Sequence, residues 1–455
     1  MIVWLERVNA FVWGIPALFL ILGVGIYFTV RTGFLQIRLL PRALREFFKS
    51  IRRKNTAESI SPYRAVCTAL AATVGTGNLA GVAGAICIGG PGAVFWMWIC
   101  GVLGMMLKFA EATLAVAIRK KNTSGQWIGG PMYMIRDGLG GRWKFLASIY
   151  CFFGVVAAFG VGNATQINTV IESIDGVFRS QGITTTRNEN FVMGICMAVV
   201  IYLMLSGGAK RIGAAAEKLV PFASVLYLIL CGGVLAFRFR LIPDAFSQII
   251  KGAFSPRAVT GGTIGSAFLA LRIGAARGVF TNEAGMGTAS IAHAGAEVYH
   301  PVAQGMMGIV EVFLDTIVIC TVTALVILCS GVSISYGYDA GITLTAAAFA
   351  NIYGQWIHVV LALTLCCFAL ATVLGWGLYG GTCAQYLFGE SAWRPFVLLQ
   401  GIFVVVGSVM HNDVLWMVSE TVNGLMAIPN LIALFLLAPV LMKQINSYKN
   451  MGTRR

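Results

Sequence analysis

Charge is scarce in this chain. Only 11% of its 455 residues are Asp, Glu, Lys or Arg, where an ordinary soluble domain carries roughly a quarter, and this shortage excludes a solvated globular body as the main component. Acidic residues are scarcer still, 18 against 33 basic ones, for a formal net charge of +15. Histidine occurs only as His293, His300, His358 and His411, too scattered for a metal centre or a catalytic triad. The eleven cysteines stand singly or as the pair Cys366 and Cys367 inside apolar segments. Without metal-ligand spacing they read as packing residues, and no disulfide framework follows. A membrane enzyme would need a convergent nucleophile and base or a metal cluster, and no Cys, His or Ser grouping supplies one.

What the chain has instead is apolar length. Hydrophobic residues make up 58% of it, with a mean hydropathy of +0.80. A membrane-crossing helix needs about 20 mostly apolar residues, and eleven candidates meet that need, centred near residues 20, 76, 104, 157, 199, 227, 276, 316, 368, 403 and 430. No stretch is left over for a soluble domain, so the chain reads as an all-α polytopic membrane protein. The first segment is too long for a signal peptide and lacks a small-residue cleavage site, so it reads as retained.

Lys and Arg are held on the cytoplasmic side during insertion. The link after the first helix carries Arg31, Arg38, Arg42, Arg45, Lys49, Arg52, Arg53 and Lys54 and is expected inside. Alternation then places the loops around 119–144 and 210–218, and the tail ending Arg454-Arg455, inside as well. The N-terminus is expected outside a plasma (inner) membrane and the C-terminus in the cytoplasm. One link dissents: Arg238, Arg240, Lys251 and Arg257 fall on the expected outer side. The basic excess is a topology and anionic-lipid signal. No aromatic-basic interleaving argues for nucleic acid, and no obligatory protein partner is evident.

Residues 72–81, ATVGTGNLAG, interrupt an apolar stretch with three glycines, two threonines and an asparagine. Close packing of small residues accounts for the glycines alone. Thr73, Thr76 and Asn78 would each cost several kcal/mol, in order of magnitude, if left unpaired in hydrocarbon. A helix broken at a binding site resolves the conflict: amides opening its second half attract a carboxylate, and carbonyls ending its first half coordinate a small cation. Such transporters carry a second broken helix at the matching place of an inverted repeat. The seventh segment supplies a candidate, interrupted by glycines 265, 274, 278, 285 and 287, with Arg272, Arg277, Asn282 and Glu283 between them. Segments two to six (62–238) and seven to eleven (262–442) then form a five-plus-five arrangement, broken at core helices 1 and 6, with 9–31 as an extra helix.

Five ordered motifs between residues 73 and 389 carry a resemblance: TVGTGNLAGVAGAICIGGPGAVFWMW, GGPMYMI, GVFTNEAGMGTAS, EVFLDTIVICTVTALVIL and LGWGLYGGTCAQYLFG. They resemble the alanine/glycine:cation symporter (sodium:alanine symporter) family of the amino acid-polyamine-organocation superfamily. The resemblance implies the leucine-transporter-like inverted-repeat fold and sodium- or proton-driven uptake of small neutral amino acids, with Na+ as the coupling ion and no organic cofactor. It also implies that Gly75, Thr76 and Gly77 hold the substrate carboxylate, that Asn78 bridges towards a cation, and that carbonyls of Ala71 and Val74 with the Thr372 hydroxyl coordinate Na+. Gln166 either reaches the substrate or bonds between helices. Trp376, with Phe268 and Leu271, caps the apolar side, and Gly274 belongs to the same substrate set.

The chain departs from the family pattern where a hydroxyl pair and Gly-Trp-Ser-Tyr-Tyr-Gly-Glu are usual: it has Ala371-Thr372 and then Gly375-Trp376-Gly377-Leu378-Tyr379-Gly380-Gly381. One cation ligand and one carboxylate are absent, which opens the choice between sodium and protons. Met134 also stands where the family favours Tyr. Glu311 and Asp315 lie on one face of the eighth segment, either as proton carriers or as ion-pair partners of Lys108, Arg272 or Arg277. Glu111, one turn from Lys108, reads as its local partner, and Arg277 with Glu283 as a latch at the end of the broken helix. The alternatives are proton-coupled transport of another neutral amino acid, such as glutamine or serine, and a channel. A channel would need a polar stripe or ring along a pore, whereas the polar residues here concentrate at two breaks.

Overall fold

In the computed structural model the chain is almost wholly helical. The structure describes all residues except 1, 13–14, 53–59, 124, 256–259, 261–265, 339, 411 and 453–455. Arg53, Lys54, Arg257, Gly265, His411, Arg454 and Arg455 therefore lie outside the described residues. Among those described, eight helices are long and apolar enough to cross a membrane, or ten if each of two bent pairs is one span. The eleven expected centres all fall on helices or on a break within one. The difference in number is physical: the segment near 276 is cut by its break into pieces each too short to cross alone.

The chain opens with α1 (Ile2–Val12) and α2 (Ile15–Arg31). A corner at Gly33 and Phe34, both left-handed at φ 64° and 56°, turns the chain by 82° into α3 (Leu35–Ile51). The amide of Phe34 closes the turn on Thr29 O at 2.8 Å. The expected first link is thus largely helix. Next come α4 (Pro62–Thr73) and α5 (Val82–Gly89), joined through a π-helical turn at Gly77–Gly81, and then α6 (Gly92–Ala117). The α4–α5 pair is bent by 54°. A short hairpin pairs Lys120 with Ile128 and Lys121 with Trp127. It is followed by α7 (Lys144–Phe159), α8 (Thr165–Ser180), α9 (Arg187–Leu205), α10 (Gly208–Phe237) and α11 (Ile242–Phe254). The charge-dissenting link is therefore partly helical, and α11 packs so tightly on α6 that a Cβ on Gly252 would stand 2.8 Å from Gly92 N.

The second half holds α12 (Ala267–Asn282), α13 (Thr288–Ala294), α14 (Pro301–Val312), α15 (Thr321–Cys329) and α16 (Gly341–Tyr353). It ends with α17 (Ile357–Phe388), α18 (Trp393–Val409), α19 (Asn412–Leu436) and α20 (Ala438–Gly452). Helices α14 and α15 are continuous through a π-helical stretch, Phe313–Cys320, and cross the core beside α6. One end of the bundle gathers Ile60, paired with Ala296, and Arg119, whose Nη1 donates to Ala294 O at 2.9 Å. The opposite end gathers Cys87, whose carbonyl accepts from Gly337 N at 2.9 Å, and the Gly92–Gly252 approach. Trp376, Tyr150, Tyr227 and Tyr379 are the largest fully buried side chains. Membrane depth would be a costly place for their polar tips unless helices closed around them.

Candidate functional site

The first half of the broken helix begins at Ser61, whose hydroxyl accepts from Arg64 N at 3.2 Å, with Pro62 at the first helical position, where no amide is needed. It stops at Val74, which is extended at φ −77° and ψ 102°. Carbonyls that end α4 and amides that open the following turn have no partners within their own helix. Asn78 takes up one of these amides: its Oδ1 accepts from Gly75 N at 2.9 Å. The Thr76 hydroxyl donates to Gln166 Oε1 at 3.0 Å, and Gln166 Nε2 donates to Val161 O at 3.1 Å. Gln166 therefore makes the interhelical bond. A Cβ on Gly75 would stand 2.7 Å from Thr372 Oγ1 and 3.6 Å from Gln166 Oε1. The missing side chain is what lets α4, α8 and α17 converge here.

The structure thus gathers Gly75, Thr76, Asn78, Gln166 and Thr372 in one buried place, with Ala71 and Val74 in the same first half-helix. Thr372 Oγ1 donates to Phe368 O at 3.0 Å and still offers lone pairs. Among the described residues no three His, Cys, Asp or Glu side chains come together as a metal-holding group. Ala71, Val74 and Thr372 offer carbonyl and hydroxyl oxygens here, donors that small hard cations take.

The second break lies further along the chain than the expected pocket residues. Helix α12 runs unbroken to Asn282 and ends at Glu283, which is left-handed at φ 52°, followed by Gly285 and Gly287 at φ 89° and 78°. Gly274 is inside the helix, where a Cβ would stand 2.8 Å from that of Trp96. It serves packing against α6. Phe268 is 68% exposed, so it does not cap the gathered site, and Leu271 is half-buried. What approaches the first break is Phe280 and Thr281: a Cβ on Gly77 would lie 3.7 Å from Phe280 Cδ1 and 3.6 Å from Thr281 Oγ1. Their place in GVFTNEAGMGTAS, next to the left-handed turn, was the available signal.

Trp376 meets this second break. Its Nε1 donates to Glu283 Oε1 at 2.9 Å, and Thr288 Oγ1 donates to Glu283 Oε2 at 2.6 Å. A Cβ on Gly162 would overlap the Trp376 side chain, so that glycine makes the indole's seat. Glu283 is thereby engaged by α13 and α17, not by Arg277, whose Nη1 lies 3.2 Å from Glu420. The two residues do not pair with each other; each ties α12 to other helices.

A continuous hydrogen-bonded chain joins the two breaks. Asn78 Nδ2 donates to Asp315 Oδ1 at 2.8 Å, Thr316 Oγ1 to Asp315 Oδ2 at 2.8 Å, and Asn282 Nδ2 to Thr316 Oγ1 at 3.0 Å. Asn282 Oδ1 in turn accepts from Ala284 N at 2.9 Å. One turn before Asp315, Glu311 Oε1 pairs with Lys108 Nζ at 2.8 Å. Glu311 Oε2 meets His293 Nε2 at 3.0 Å, and His293 Nδ1 meets Gln304 Nε2 at 2.7 Å. Glu111 is not the hydrogen-bonded partner of Lys108. It accepts from Gly287 N at 3.0 Å and Asn430 Nδ2 at 2.8 Å, tying α6 to the second break. Arg272 is exposed and pairs with neither Glu311 nor Asp315 among the described residues.

Two of the cavities among the described residues flank the core. The larger, about 1050 Å³, opens at the Ile60–Ala296 end and is lined in part by Thr68, Gln126, Gly213, Ile291 and Thr382. The smaller, about 490 Å³, lies at the other end beside Glu172, Ser173, Asn351, Gln355 and His358.

Residues 1–454 match the model of a family described as the Sodium:alanine symporter family. The Sodium/alanine symporter AgcS of Methanococcus maripaludis is 41% identical over 447 residues, covering 97% of this chain and 96% of that protein. The Probable sodium/glutamine symporter GlnT of Bacillus subtilis is 38% identical over 448 residues, covering 97% and 89%. Among solved structures, MhsT in complex with L-phenylalanine superposes with a TM-score of 0.59 at 13% identity, over 85% of this chain and 98% of that one. At that identity the likeness concerns the fold, and the all-α polytopic fold of the leucine-transporter kind is shared.

Proposed function

Because the chain belongs to the Sodium:alanine symporter family, whose members carry out amino acid symport, we propose that it takes up small neutral amino acids such as alanine and glycine with Na+ as the coupling ion. Uptake proceeds by alternating access across a cell inner membrane, with the N-terminus outside and the C-terminus inside. Residues 62–238 and 262–442 are the two inverted repeats, and 9–31 is the extra helix. The substrate carboxylate sits on the amides around Gly75, Thr76 and Gly77, where the partial positive charge of a helix start favours an anion. Asn78 and Gln166 fix the orientation of these groups. Phe280 and Thr281, in place of Phe268, Leu271 and Gly274, supply the facing wall, with Trp376 behind it. Na+ takes the carbonyls of Ala71 and Val74 and the hydroxyl of Thr372.

One observation carries this assignment: Gly75 meets the Thr372 hydroxyl and the Gln166 carbonyl at the interruption of α4, which places oxygen donors and helix-start amides side by side. Linked sites of this kind make binding of each ligand strengthen the other. The larger cavity at the Ile60–Ala296 end supports an inward-open release path, since that end also carries the basic 119–144 loop.

A specific contact favours a second mechanism, proton coupling through Asp315, whose carboxylate is buried and bonded to Asn78 at 2.8 Å. The glutamine named for one relative widens the substrate choice in the same way. Uptake of labelled alanine into proteoliposomes under imposed gradients decides between them. Sodium coupling gives saturable accumulation that follows an inward Na+ gradient and ignores a pH gradient at equal sodium. Proton coupling gives the reverse. Non-saturating flux would refute both in favour of a channel.

A further inference from the structure

Helix α3 has no role in the site. The 82° corner after α2 means that if α2 crosses the bilayer, α3 lies almost in the membrane plane. At helical spacing its residues form three parallel stripes, because positions three and four apart share a face. Gln36, Leu40, Ala43, Phe47 and Ser50 form the first. They are buried or half-buried against the protein, and Gln36 Nε2 donates to Thr29 Oγ1 at 3.0 Å. Ile37, Leu44, Phe48 and Ile51 form the second, an apolar stripe in which Leu44 is half-buried while Ile37, Phe48 and Ile51 are left open, Phe48 61% exposed. Arg38, Arg42, Arg45, Lys49 and Arg52 form the third, and all five are exposed.

The basic stripe has little acidic company on its own helix. Lys49 reaches Glu46 at 3.1 Å, Arg38 donates to Thr32 O at 2.7 Å, and the Arg42 guanidinium lies over the Tyr448 ring at 5.1 Å. Five cations in a row, beside a largely open apolar stripe and on a helix nearly perpendicular to its neighbouring span, complement one environment. That environment is the headgroup layer of a bilayer, with acyl chains below and phosphates above. The protein-facing stripe is not idle: the Phe47 ring lies 5.7 Å from that of Tyr63, at the start of α4, the first half of the first broken helix.

We propose that α3 is an in-plane docking helix for anionic phospholipid headgroups, and that its seating steadies the α4 arm through Phe47 and Tyr63. The inference needs only that the chain spans a membrane. It does not depend on which solute or ion is carried.

The full-length protein, purified in a neutral detergent, is titrated with fluorescent phosphatidylglycerol and, separately, with fluorescent phosphatidylcholine. Wild type is expected to prefer the anionic lipid, with an affinity that falls as salt rises. The variant Arg45→Gln/Lys49→Gln/Arg52→Gln, all at exposed positions, is expected to bind it about tenfold or more weakly. Arg45→Lys/Arg52→Lys is expected to keep the affinity, which separates lost charge from lost fold. In vesicles of phosphatidylcholine with and without phosphatidylglycerol, the thermal protection of α4 given by the anionic lipid, read by thiol labelling of buried Cys67, is expected in wild type and absent in the Gln variant. Equal binding by wild type and the Gln variant would overturn the proposal, as would displacement of the lipid by inorganic phosphate at matched concentration. Cys67 labelling that ignores the lipid would overturn the link to α4.

Discussion

Lys108 and Glu311 provide a quantitative test of how the core around the breaks is held. Their side chains are 0% and 1% exposed and 2.8 Å apart. Among the described residues Glu311 is the hydrogen-bond partner of Lys108 Nζ, while Glu311 keeps a second contact to His293. Removing one member of a buried pair costs on the order of 3–5 kcal/mol, because the other charge stays buried without compensation, whereas replacing both by apolar groups is far cheaper. The contacts make the two singles unequal. Glu311→Leu leaves Lys108 without its hydrogen-bonded partner and should cost about 4–5 kcal/mol, while Lys108→Met leaves Glu311 with His293 and should cost about 3 kcal/mol. Lys108→Met/Glu311→Leu should cost less than either single, on the order of 2 kcal/mol, the remainder reflecting the orphaned His293. For a chain of this length roughly 1 kcal/mol corresponds to about 1 °C in Tm, so the expected shifts run from about 2 to 5 °C. Thermal unfolding in detergent can be followed with a thiol-reactive dye, since eight cysteines are buried. A double variant that loses as much as the sum of the singles would refute the pairing as the source of the effect.

Three further outcomes concern the site. Asn78→Ala removes the bonds to Gly75 N and to Asp315 and should weaken both amino acid and cation binding by roughly ten- to hundredfold; uptake measured across sodium concentrations checks it, and an unchanged variant would detach Asn78 from the site. Thr372→Ala should raise the sodium concentration needed for half-maximal uptake while leaving the rate at saturating sodium nearly intact, because the carbonyls of Ala71 and Val74 remain but the oxygen shell is incomplete. Superimposable sodium curves would make Thr372 a packing residue. Gly75→Ala would set a Cβ 2.7 Å from Thr372 Oγ1 and should abolish uptake, and Gly75→Ala/Thr372→Ala, which removes that hydroxyl, should restore the folded yield of the protein without restoring sodium dependence.

By itself the sequence determined the membrane class, the helical fold and the first break, because these rest on local sums. Twenty apolar residues cross a bilayer wherever they occur, and Thr73, Thr76 and Asn78 among glycines announce a cavity because hydrocarbon does not tolerate them otherwise. It also marked Lys108 and Glu311 as charges needing partners and named each in the other's set. Only the tertiary structure decided who pairs with whom and where the second helix breaks. In the seventh segment, glycines 274, 278, 285 and 287 look alike along the chain. Two lie inside a helix against α6, and two take positive φ beside a left-handed Glu283, and nothing local distinguishes them. Asn78 and Asp315 are 237 positions apart, and Glu111 reaches Gly287 and Asn430 across the bundle rather than Lys108 one turn away. A buried polar group must find a partner, but which one it finds is set by how the helices cross, and crossing is a property of packed surfaces that no single segment contains.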